Sequence, residues 1–227
     1  MSNPRKKSSS VVNTRKLTLA AMFAALAFVS AVIFRLSIIP SAPFLNYDVK
    51  DVITGLGALI LGPAYGAMIA VVAALLEWLT VSDTGLIGFI MNSLSSCAFV
   101  CTAALIYSRK KTLVNAVLGL VCGVVVLVIV MLLWNYIVTP IYQGVPRNVI
   151  AAMLPTVFLP FNAIKGSLNA SFVFLLYRPV IGMLRSAKLM PASAVKAKKK
   201  VPVVAIVCAV AVIITCVLVI LSYKDII

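Results

Sequence analysis

The segment LPFNAIKGSLN, residues 159–169, places an ammonium group and two amides inside an otherwise apolar stretch. Helical spacing puts Asn162, Lys165 and Asn169 on one face, because residues three and four apart lie side by side on a helix. Such a row can hydrogen-bond a ligand that is rich in carbonyl and imide groups. Gly166 leaves room for a close neighbour. The segment therefore predicts a ligand-binding helix face.

Glu77, in LLEWL, offers a structural explanation of the same lysine. A charge at membrane depth costs at least about 2.5 to 3.5 kcal/mol on insertion scales, so a buried Lys165 needs a partner. A Lys165–Glu77 ion pair with amide bonds between helices satisfies that need without any ligand. Spacing alone leaves both interpretations open. We expect Arg35, near the end of the first span, to extend its side chain to the membrane surface.

Further polar side chains can converge on the same region. Asn92 lies in GFIMNSLSS and Asn135 in LLWNYIVTPIY, each within or near the end of an apolar segment. The stretch PSAPFLNYDVKDV predicts an ordered loop able to cover a pocket. Taken singly, each of these residues suits a structural role better. Together they predict a mixed polar and aromatic pocket for a small molecule.

Long apolar helices must position these residues. The chain has 227 residues, 63% of them hydrophobic and 11% charged, with a mean hydropathy of +1.15. About 20 apolar residues cross a bilayer as a helix, and these runs are too long and continuous for barrel strands. We predict an all-α, polytopic membrane bundle. Its spans are 17–37, 51–62, 63–80, 86–107, 112–138, 148–177 and 201–223, of which 51–62 is too short to cross upright.

Charge predicts the orientation and the domain organisation. Most of the 20 basic residues lie before residue 17, in the 108–111 loop and after residue 177, and basic loops stay in the cytoplasm. We therefore expect a multi-pass plasma-membrane protein with a cytoplasmic N-terminus. The predicted parts are a basic segment 1–16, a six-helix domain 17–180, a basic linker 181–200 and an additional helix 201–227.

Several classes of function are disfavoured. The net charge of +15 sits in short segments beside spans, where anionic lipid explains it better than nucleic acid. All five cysteines fall inside predicted spans without metal-ligand spacing, so we expect no metal site. The chain has no histidine and no GxxxxGK[ST] motif, so we expect no catalytic residues of the usual kinds and no ATP hydrolysis by this chain.

The first span carries small residues at a spacing of four, including Ala20 with Ala24 and Ala21 with Ala25. Small residues at this spacing let a second helix approach closely, which is how membrane helices associate. Alanine is also common inside bundles, so internal packing is the plainer interpretation of the pattern taken alone.

The segments PFLNYDVKDVITGLGALILGPAYGAMIAVVAALLEWL, WNYIVTPIY and LPFNAIKGSLNASFVFLLY resemble the riboflavin-specific S component of the energy-coupling factor (ECF) transporters. The resemblance covers roughly residues 17–180. It implies a six-helix vitamin-binding protein that works with a membrane T component and two cytoplasmic ATPases. Riboflavin would be the transported substrate, with no cofactor. The last predicted span departs from the six-helix pattern.

The resemblance also implies roles for residues that match the motifs. Asn162 and Lys165 in PFNAIKG would contact the flavin ring, and Asn135 would add a polar contact. Glu77 would provide another polar contact, and Leu45 in FLNYD would lie in the loop that caps the pocket. The small residues of the first helix, Ala20, Ala24 and Ala21, would form the surface that docks on the T component.

Three alternatives remain at this stage. The first is an S component for a different vitamin. The second is an intramembrane enzyme that uses Glu77 and Lys165 as acid and base, although no serine, aspartate or metal arrangement accompanies them. The third is a scaffold in which the polar residues only join helices.

Overall fold

The computed structural model describes residues 4–37, 45–81, 84–189 and 203–223, and this part of the chain is almost entirely helical. In chain order, the elements are α1 (Pro4–Ile33), β1 (Arg35–Ser37), β2 (Asn46–Asp48), α2 (Lys50–Leu61), α3 (Pro63–Thr80), α4 (Gly85–Arg109), α5 (Leu113–Ile137), α6 (Thr139–Gln143), α7 (Arg147–Met153), α8 (Leu159–Ser186) and α9 (Val203–Tyr223). A turn of π-helix, Leu154–Phe158, joins α7 to α8.

Six helical segments in the described part of the chain are long and apolar enough to cross a bilayer. Their outward faces carry large apolar side chains, as lipid contact requires and aqueous solvent would not favour. On α5 the exposed row is Val117, Leu118, Val121, Val125, Ile129 and Leu133. The predicted all-α, polytopic membrane bundle is confirmed.

Helix α2 is the short element at the centre of the bundle. Its 12 residues rise about 18 Å, too little for a bilayer core of about 30 Å. All of them except Ile53 and Leu61 are buried, because α1, α3, α4 and α8 pack around the helix. Gly62 then reverses the chain with a φ of 107°, a backbone angle that glycine adopts far more readily than other residues, and Pro63 opens α3. The segment predicted to be too short to cross upright is therefore a short helix enclosed by its neighbours.

The first predicted span starts close to the observed apolar segment, which begins at Thr14, but its predicted end is wrong. Helix α1 begins at Pro4, so residues 4–16 of the predicted basic segment belong to the same helix as the apolar residues that follow. The helix ends at Ile33 rather than at residue 37, because residues 35–37 pair as a strand instead. Arg35 lies opposite Asp48 and Ser37 lies opposite Asn46 in this antiparallel hairpin. We call the end of the bundle that carries these two strands the hairpin end.

An irregular turn precedes α8, the last helix of the predicted six-helix domain. Pro160 has no N–H, and its ring would clash with the carbonyl four residues earlier, so a regular α-helix cannot pass through this point undisturbed. The Leu159 N–H instead bonds to the Leu154 carbonyl, five residues back. The regular part of the helix that carries Asn162 and Lys165 therefore begins at Leu159.

The predicted boundary at residue 180 falls inside α8, which continues to Ser186. Residues 190–200 of the predicted basic linker lie outside the described residues. Beyond them, α9 packs against α8, and most of its surface is exposed. This fits an appended helix, although Ala209 and Cys216 are buried against the bundle.

Helices α4 and α5 approach closely where two glycines of α5 face the backbone of α4. A Cβ added at Gly119 would lie 2.6 Å from the Ala103 carbonyl oxygen, and one at Gly123 would lie 2.8 Å from the Phe99 carbonyl oxygen. The two glycines are four residues apart, so they form one small-residue surface of the kind that joins membrane helices.

We predict that Gly119→Ala destabilises the protein by about 1 to 3 kcal/mol, since the new methyl group must push the two backbones apart. Thermal unfolding in detergent measures the effect. Gly182→Ala is the matched control, because an added Cβ there meets nothing within 4 Å and alanine favours the helix. Equal unfolding temperatures for the two variants would contradict the packing argument.

Candidate functional site

A cavity of about 300 Å³ opens at the hairpin end of the bundle. The hairpin, the end of α3, the start of α4, the end of α5 and the first half of α8 all contribute to its lining. The lining residues are Arg35, Leu45, Asn46, Asp48, Glu77, Thr84, Met91, Asn92, Ser95, Met131, Asn135, Tyr142, Phe161, Asn162 and Lys165. All six residues predicted to bind a ligand are among them, although they come from five separate parts of the sequence.

Two cations hold Glu77 at one side of this cavity. Its Oε1 accepts a hydrogen bond from Arg35 Nη2 at 2.7 Å, and its Oε2 accepts one from Lys50 Nζ at 2.6 Å. Arg35 also donates to the Val81 carbonyl oxygen at 3.2 Å. Glu77 and Lys50 are buried, with exposed fractions of 4% and 1%. Both carboxylate oxygens are therefore engaged before any ligand arrives.

Two aspartates hold Lys165 at the other side. Lys165 Nζ lies 3.1 Å from Asp48 Oδ2 and 3.8 Å from Asp51 Oδ2. The Ser96 hydroxyl donates to Asp51 Oδ1 in a short hydrogen bond. Asp48 Oδ1 accepts the backbone N–H of Lys50 at 3.1 Å, which links this group to the one around Glu77.

We call these six residues, Arg35, Asp48, Lys50, Asp51, Glu77 and Lys165, the charge cluster. It contains three cations and three carboxylates, so it is balanced when all are ionised. Buried ions lose their hydration, and close pairing with further hydrogen bonds is what compensates this cost. Burial disfavours the charged form of Asp48, but Lys165 and Lys50 outweigh it and hold the pKa of this carboxyl below its ordinary value.

The charge cluster bears on two expectations. The Lys165–Glu77 pair, one of the two interpretations left open, does not form, because α2 inserts Lys50 beside Glu77 and the hairpin and α2 bring Asp48 and Asp51 to Lys165. The expectation that Arg35 extends to the membrane surface is wrong. Its guanidinium points inward and pairs with Glu77, and 31% of the side-chain surface stays exposed.

The amides line the cavity with part of their hydrogen-bonding capacity already used. Asn162 Nδ2 donates to the Phe158 carbonyl oxygen at 2.7 Å, in the turn where the helix is irregular. Asn135 donates to the Met131 carbonyl oxygen and accepts from the Thr139 hydroxyl, at 2.7 and 2.9 Å. Each amide nitrogen has two hydrogens, and within the described residues one of the two on each makes no hydrogen bond, so it can donate to a ligand.

Asn92 and Asn169 differ in their access to this cavity. Asn92 is half-buried and lines it from α4. Asn169 lies on the same face of α8 as Asn162 and is buried, but it is not a lining residue. The predicted polar row of α8 therefore reaches the cavity only in its first half.

Apolar side chains form the remaining walls. Leu45, predicted to cap the pocket, is 5% exposed and lines the cavity from the residue before β2. Phe161 lines it from α8, and Met91, Met131 and Tyr142 do so from the ends of other helices. Apolar walls with a few placed polar groups are typical of small-molecule sites. A planar, partly aromatic ligand with carbonyl and N–H groups suits this lining.

The sequence reasoning missed Lys50, Asp51 and Ser96 as members of this site. Lys50 and Asp51 stand at the start of an apolar segment, a position at which a charge can often reach the membrane surface. One signal was available: the segment is too short to span, so its first residues must lie below the membrane surface. No three His, Cys, Asp or Glu side chains in the described ranges come together as metal ligands.

The alanines of α1 divide between two environments. Ala20 and Ala24 are buried, with exposed fractions of 1% and 3%, on the face that packs against α2 and α3. In this chain they pack internally, and their predicted role in docking on the T component stays a prediction. Ala21 and Ala25 are exposed.

A second cavity, of about 520 Å³, lies at the opposite end of the bundle. It is larger, but its polar lining consists mainly of basic side chains, and none of the predicted ligand-binding residues reaches it. Arg15, Lys16 and Lys111 are among its lining residues. The smaller cavity at the hairpin end is therefore the better candidate for a specific ligand site.

Comparison with known proteins places these features in a family. A family model described as the substrate-specific component of ECF transporters matches residues 15–177. The chain is 31% identical over 191 residues to the riboflavin transporter RibU of Staphylococcus aureus (strain TCH60), covering 81% of this chain and 98% of that protein. It is 28% identical over 184 residues to the riboflavin transporter RibU of Streptococcus thermophilus (strain ATCC BAA-250 / LMG 18311), covering 77% and 86%.

A solved structure of the S component of a bacterial ECF transporter matches this fold with a TM-score of 0.65. The two sequences are 30% identical, and the match covers 76% of this chain and 99% of the other. The family match begins within α1 and ends within α8, so α9 lies outside it.

We predict that Lys50→Met destabilises the protein by about 3 to 5 kcal/mol, because it removes one of the two cations that hold the buried Glu77 and leaves the charge cluster with a surplus negative charge. Adding Glu77→Gln removes the surplus negative charge, so the double variant should recover a large part of the loss. Denaturant or thermal unfolding in detergent measures both. A double variant no more stable than Lys50→Met would show that charge balance is not what the charge cluster requires.

Proposed function

The chain belongs to the substrate-specific (S) components of ECF transporters, and we propose that it is the riboflavin-binding subunit of an ATP-driven vitamin importer. It is a substrate-binding subunit rather than an enzyme. The observation that carries the ligand assignment is the cavity at the hairpin end, where amides and apolar walls from five parts of the sequence converge. Two relatives that are themselves riboflavin transporters support the choice of vitamin.

The chemistry of riboflavin fits this lining. The vitamin has an apolar dimethylbenzene edge, a pyrimidine edge with carbonyls and an N–H, and a polyhydroxyl tail. Phe161, Leu45 and Met131 offer apolar contact, while the remaining donors of Asn162 and Asn135 suit the carbonyls of the pyrimidine edge. Asn92 adds a further amide from α4.

The charge cluster favours an uncharged ligand. Each of its three cations is already paired with a carboxylate, at Nζ–O or Nη–O distances between 2.6 and 3.8 Å. A phosphorylated flavin would need cations for its phosphate, and recruiting one would leave a buried carboxylate unpaired. Riboflavin itself leaves the cluster intact. In this site Glu77 and Lys165 form part of the cavity wall, and their charges are already neutralised by ion pairs. A ligand hydroxyl or carbonyl can make a further hydrogen bond to them.

The orientation proposed for the protein places the cavity outside the cell. The ends of α4 and α8 that lie away from the hairpin carry Arg109, Lys110, Arg185 and Lys188, and basic segments beside spans remain cytoplasmic. The cavity would then open to the medium, where a scavenged vitamin must be captured. This orientation makes the N-terminus of α1 cytoplasmic.

Energy must come from partner subunits, since the chain has no phosphate-binding GxxxxGK[ST] motif. We propose a T component and two ATPases, as the family implies. The exposed alanines Ala21 and Ala25 support α1 as part of the docking face, because small side chains let another helix approach closely. The proposed docking face is therefore the exposed row of Ala21 and Ala25, which lies beside the buried row of Ala20 and Ala24 on the same helix.

We predict that the purified protein binds riboflavin with a visible flavin absorption and quenches its fluorescence. Asn162→Ala should weaken this binding by about 1 to 3 kcal/mol, because a carbonyl of the bound ligand loses its donor. Fluorescence titration in detergent gives the two dissociation constants. Asn162 is a cleaner test than Lys165, whose loss would also leave Asp48 and Asp51 unpaired.

The matched control is Asn169→Ala, which removes a buried amide from the same helix face outside the cavity. Its affinity should equal that of the unaltered chain. If both variants bind equally well, the assigned site is incorrect. If the unaltered chain binds no riboflavin but binds another vitamin, the S-component function stands with a different substrate. If it binds no vitamin, the binding function itself is refuted.

We predict that the pair Ala21→Leu and Ala25→Leu leaves riboflavin binding unchanged but abolishes ATP-driven uptake. The added bulk would keep the T component from approaching α1. Uptake is measured in vesicles that contain all four subunits. Ala211→Leu adds similar bulk to an exposed alanine of α9 and should leave uptake intact. Normal uptake by the α1 variant would place the docking face elsewhere.

A further inference from the structure

Helix α9 presents one face to the bundle and the rest to the surroundings. Cys216 is buried, and Ile213 and Ile220 are half-buried at positions three residues before and four residues after it. This spacing puts the three side chains on one face of the helix. The family match ends at residue 177, so the position of α9 cannot be attributed to the fold that the relatives share. We call Ile213, Cys216 and Ile220 the inner face of α9.

The inner face joins an apolar cluster directly behind the cavity. Leu45 and Tyr47 of the hairpin segment, and Phe161 and Ile164 of α8, are buried in this cluster together with Cys216. Leu45 and Phe161 also line the cavity at the hairpin end. The inner face therefore belongs to the same apolar cluster as two side chains that border the cavity.

The apolar side of the hairpin segment needs this support, because the ion pairs of Arg35 and Asp48 hold only its polar side. A two-stranded hairpin is marginal by itself, and this one has three residue pairs. Its polar side is tied by Asp48 to Lys165. On its apolar side, the Tyr47 hydroxyl has no hydrogen-bond partner within the described residues, so packing of the ring holds this side chain.

Lipid cannot replace the inner face fully. Lipid chains are as apolar as leucine, so removing α9 would expose the cluster without a large hydrophobic cost. A helix, however, presents fixed side chains that interdigitate with their neighbours, whereas fluid chains provide fewer persistent contacts. We therefore expect α9 to make the hairpin segment more rigid, while the protein would still fold without it.

We propose that α9 is a positioning element of the ligand site: its inner face holds the Leu45–Tyr47 segment against α8 and slows ligand release. This inference rests on the proposed function. The segment covers one side of the cavity, so a bound ligand can leave more easily when the segment moves away. Ile213, Cys216 and Ile220 do not touch the ligand and act through Leu45, Tyr47 and Phe161.

The test removes the inner face and keeps the full chain. In the triple variant Ile213→Ala, Cys216→Ala and Ile220→Ala, we expect riboflavin to dissociate about tenfold faster with a little-changed association rate, since affinity changes within one site act mostly on dissociation. Stopped-flow fluorescence measures both rates. In the ligand-free protein, residues 45–50 should exchange backbone hydrogen for deuterium faster.

The matched control truncates the outer face of the same helix through Ile214→Ala, Val217→Ala and Leu218→Ala, all at exposed positions. It should leave both rates and the exchange unchanged. A conservative variant, Ile213→Leu with Ile220→Leu, should retain slow release. Equal release from the inner-face and outer-face variants would overturn the proposal.

The exchange measurement separates this inference from the proposed function. If the unaltered chain binds no riboflavin, the proposed function fails, and the exchange of residues 45–50 still decides whether the inner face holds the segment. If riboflavin binds but exchange in this segment is the same in all variants, the positioning role of α9 is refuted while the function stands.

Discussion

Charge neutrality at the hairpin end is the constraint on which the rest of this structure depends. Five of the six members of the charge cluster are buried, and each needs an opposite charge within reach. The partners come from the hairpin, α2, α3 and α8. Satisfying them fixes the relative positions of these elements more narrowly than apolar packing does in a membrane, where lipid competes equally for apolar surfaces.

The short helix α2 follows from this constraint. A helix of full span length would carry Lys50 and Asp51 to the membrane surface, where each could be hydrated. Because α2 has only 12 residues, its charged start lies inside the bundle, and it meets Glu77 and Lys165 there. The cavity opens at the same end, and Arg35, Asp48, Glu77 and Lys165 of the charge cluster are among its lining residues. The charge cluster thus depends on one feature, a short helix whose charged first turn is buried.

The sequence predicted the helices well and the contacts between charges poorly. Apolar runs fix where helices occur, so α3, α4, α5 and α9 lie close to their predicted bounds. The polar residues in those runs were few enough to single out Glu77, Asn92, Asn135, Asn162 and Lys165, and all of them line one cavity. The ion pairs of Glu77 and Lys165 did not follow from the sequence, because they depend on how deep each charged residue lies in the bundle. Nothing in the local pattern says that Lys50 lies nearer to Glu77 than Lys165 does, since that distance is set by how four helices pack.

The same argument separates Ala20 and Ala24 from Ala21 and Ala25. A repeat of small residues predicts that a helix will be approached closely, but it does not say by which partner. Here the two ridges lie side by side on α1, one buried against α2 and α3 and the other exposed. Internal packing therefore uses one ridge and leaves its neighbour available. A helix that is rigidly packed on one side can present a fixed small-residue surface on the other, so the buried alanines would serve docking by holding the exposed ones in place.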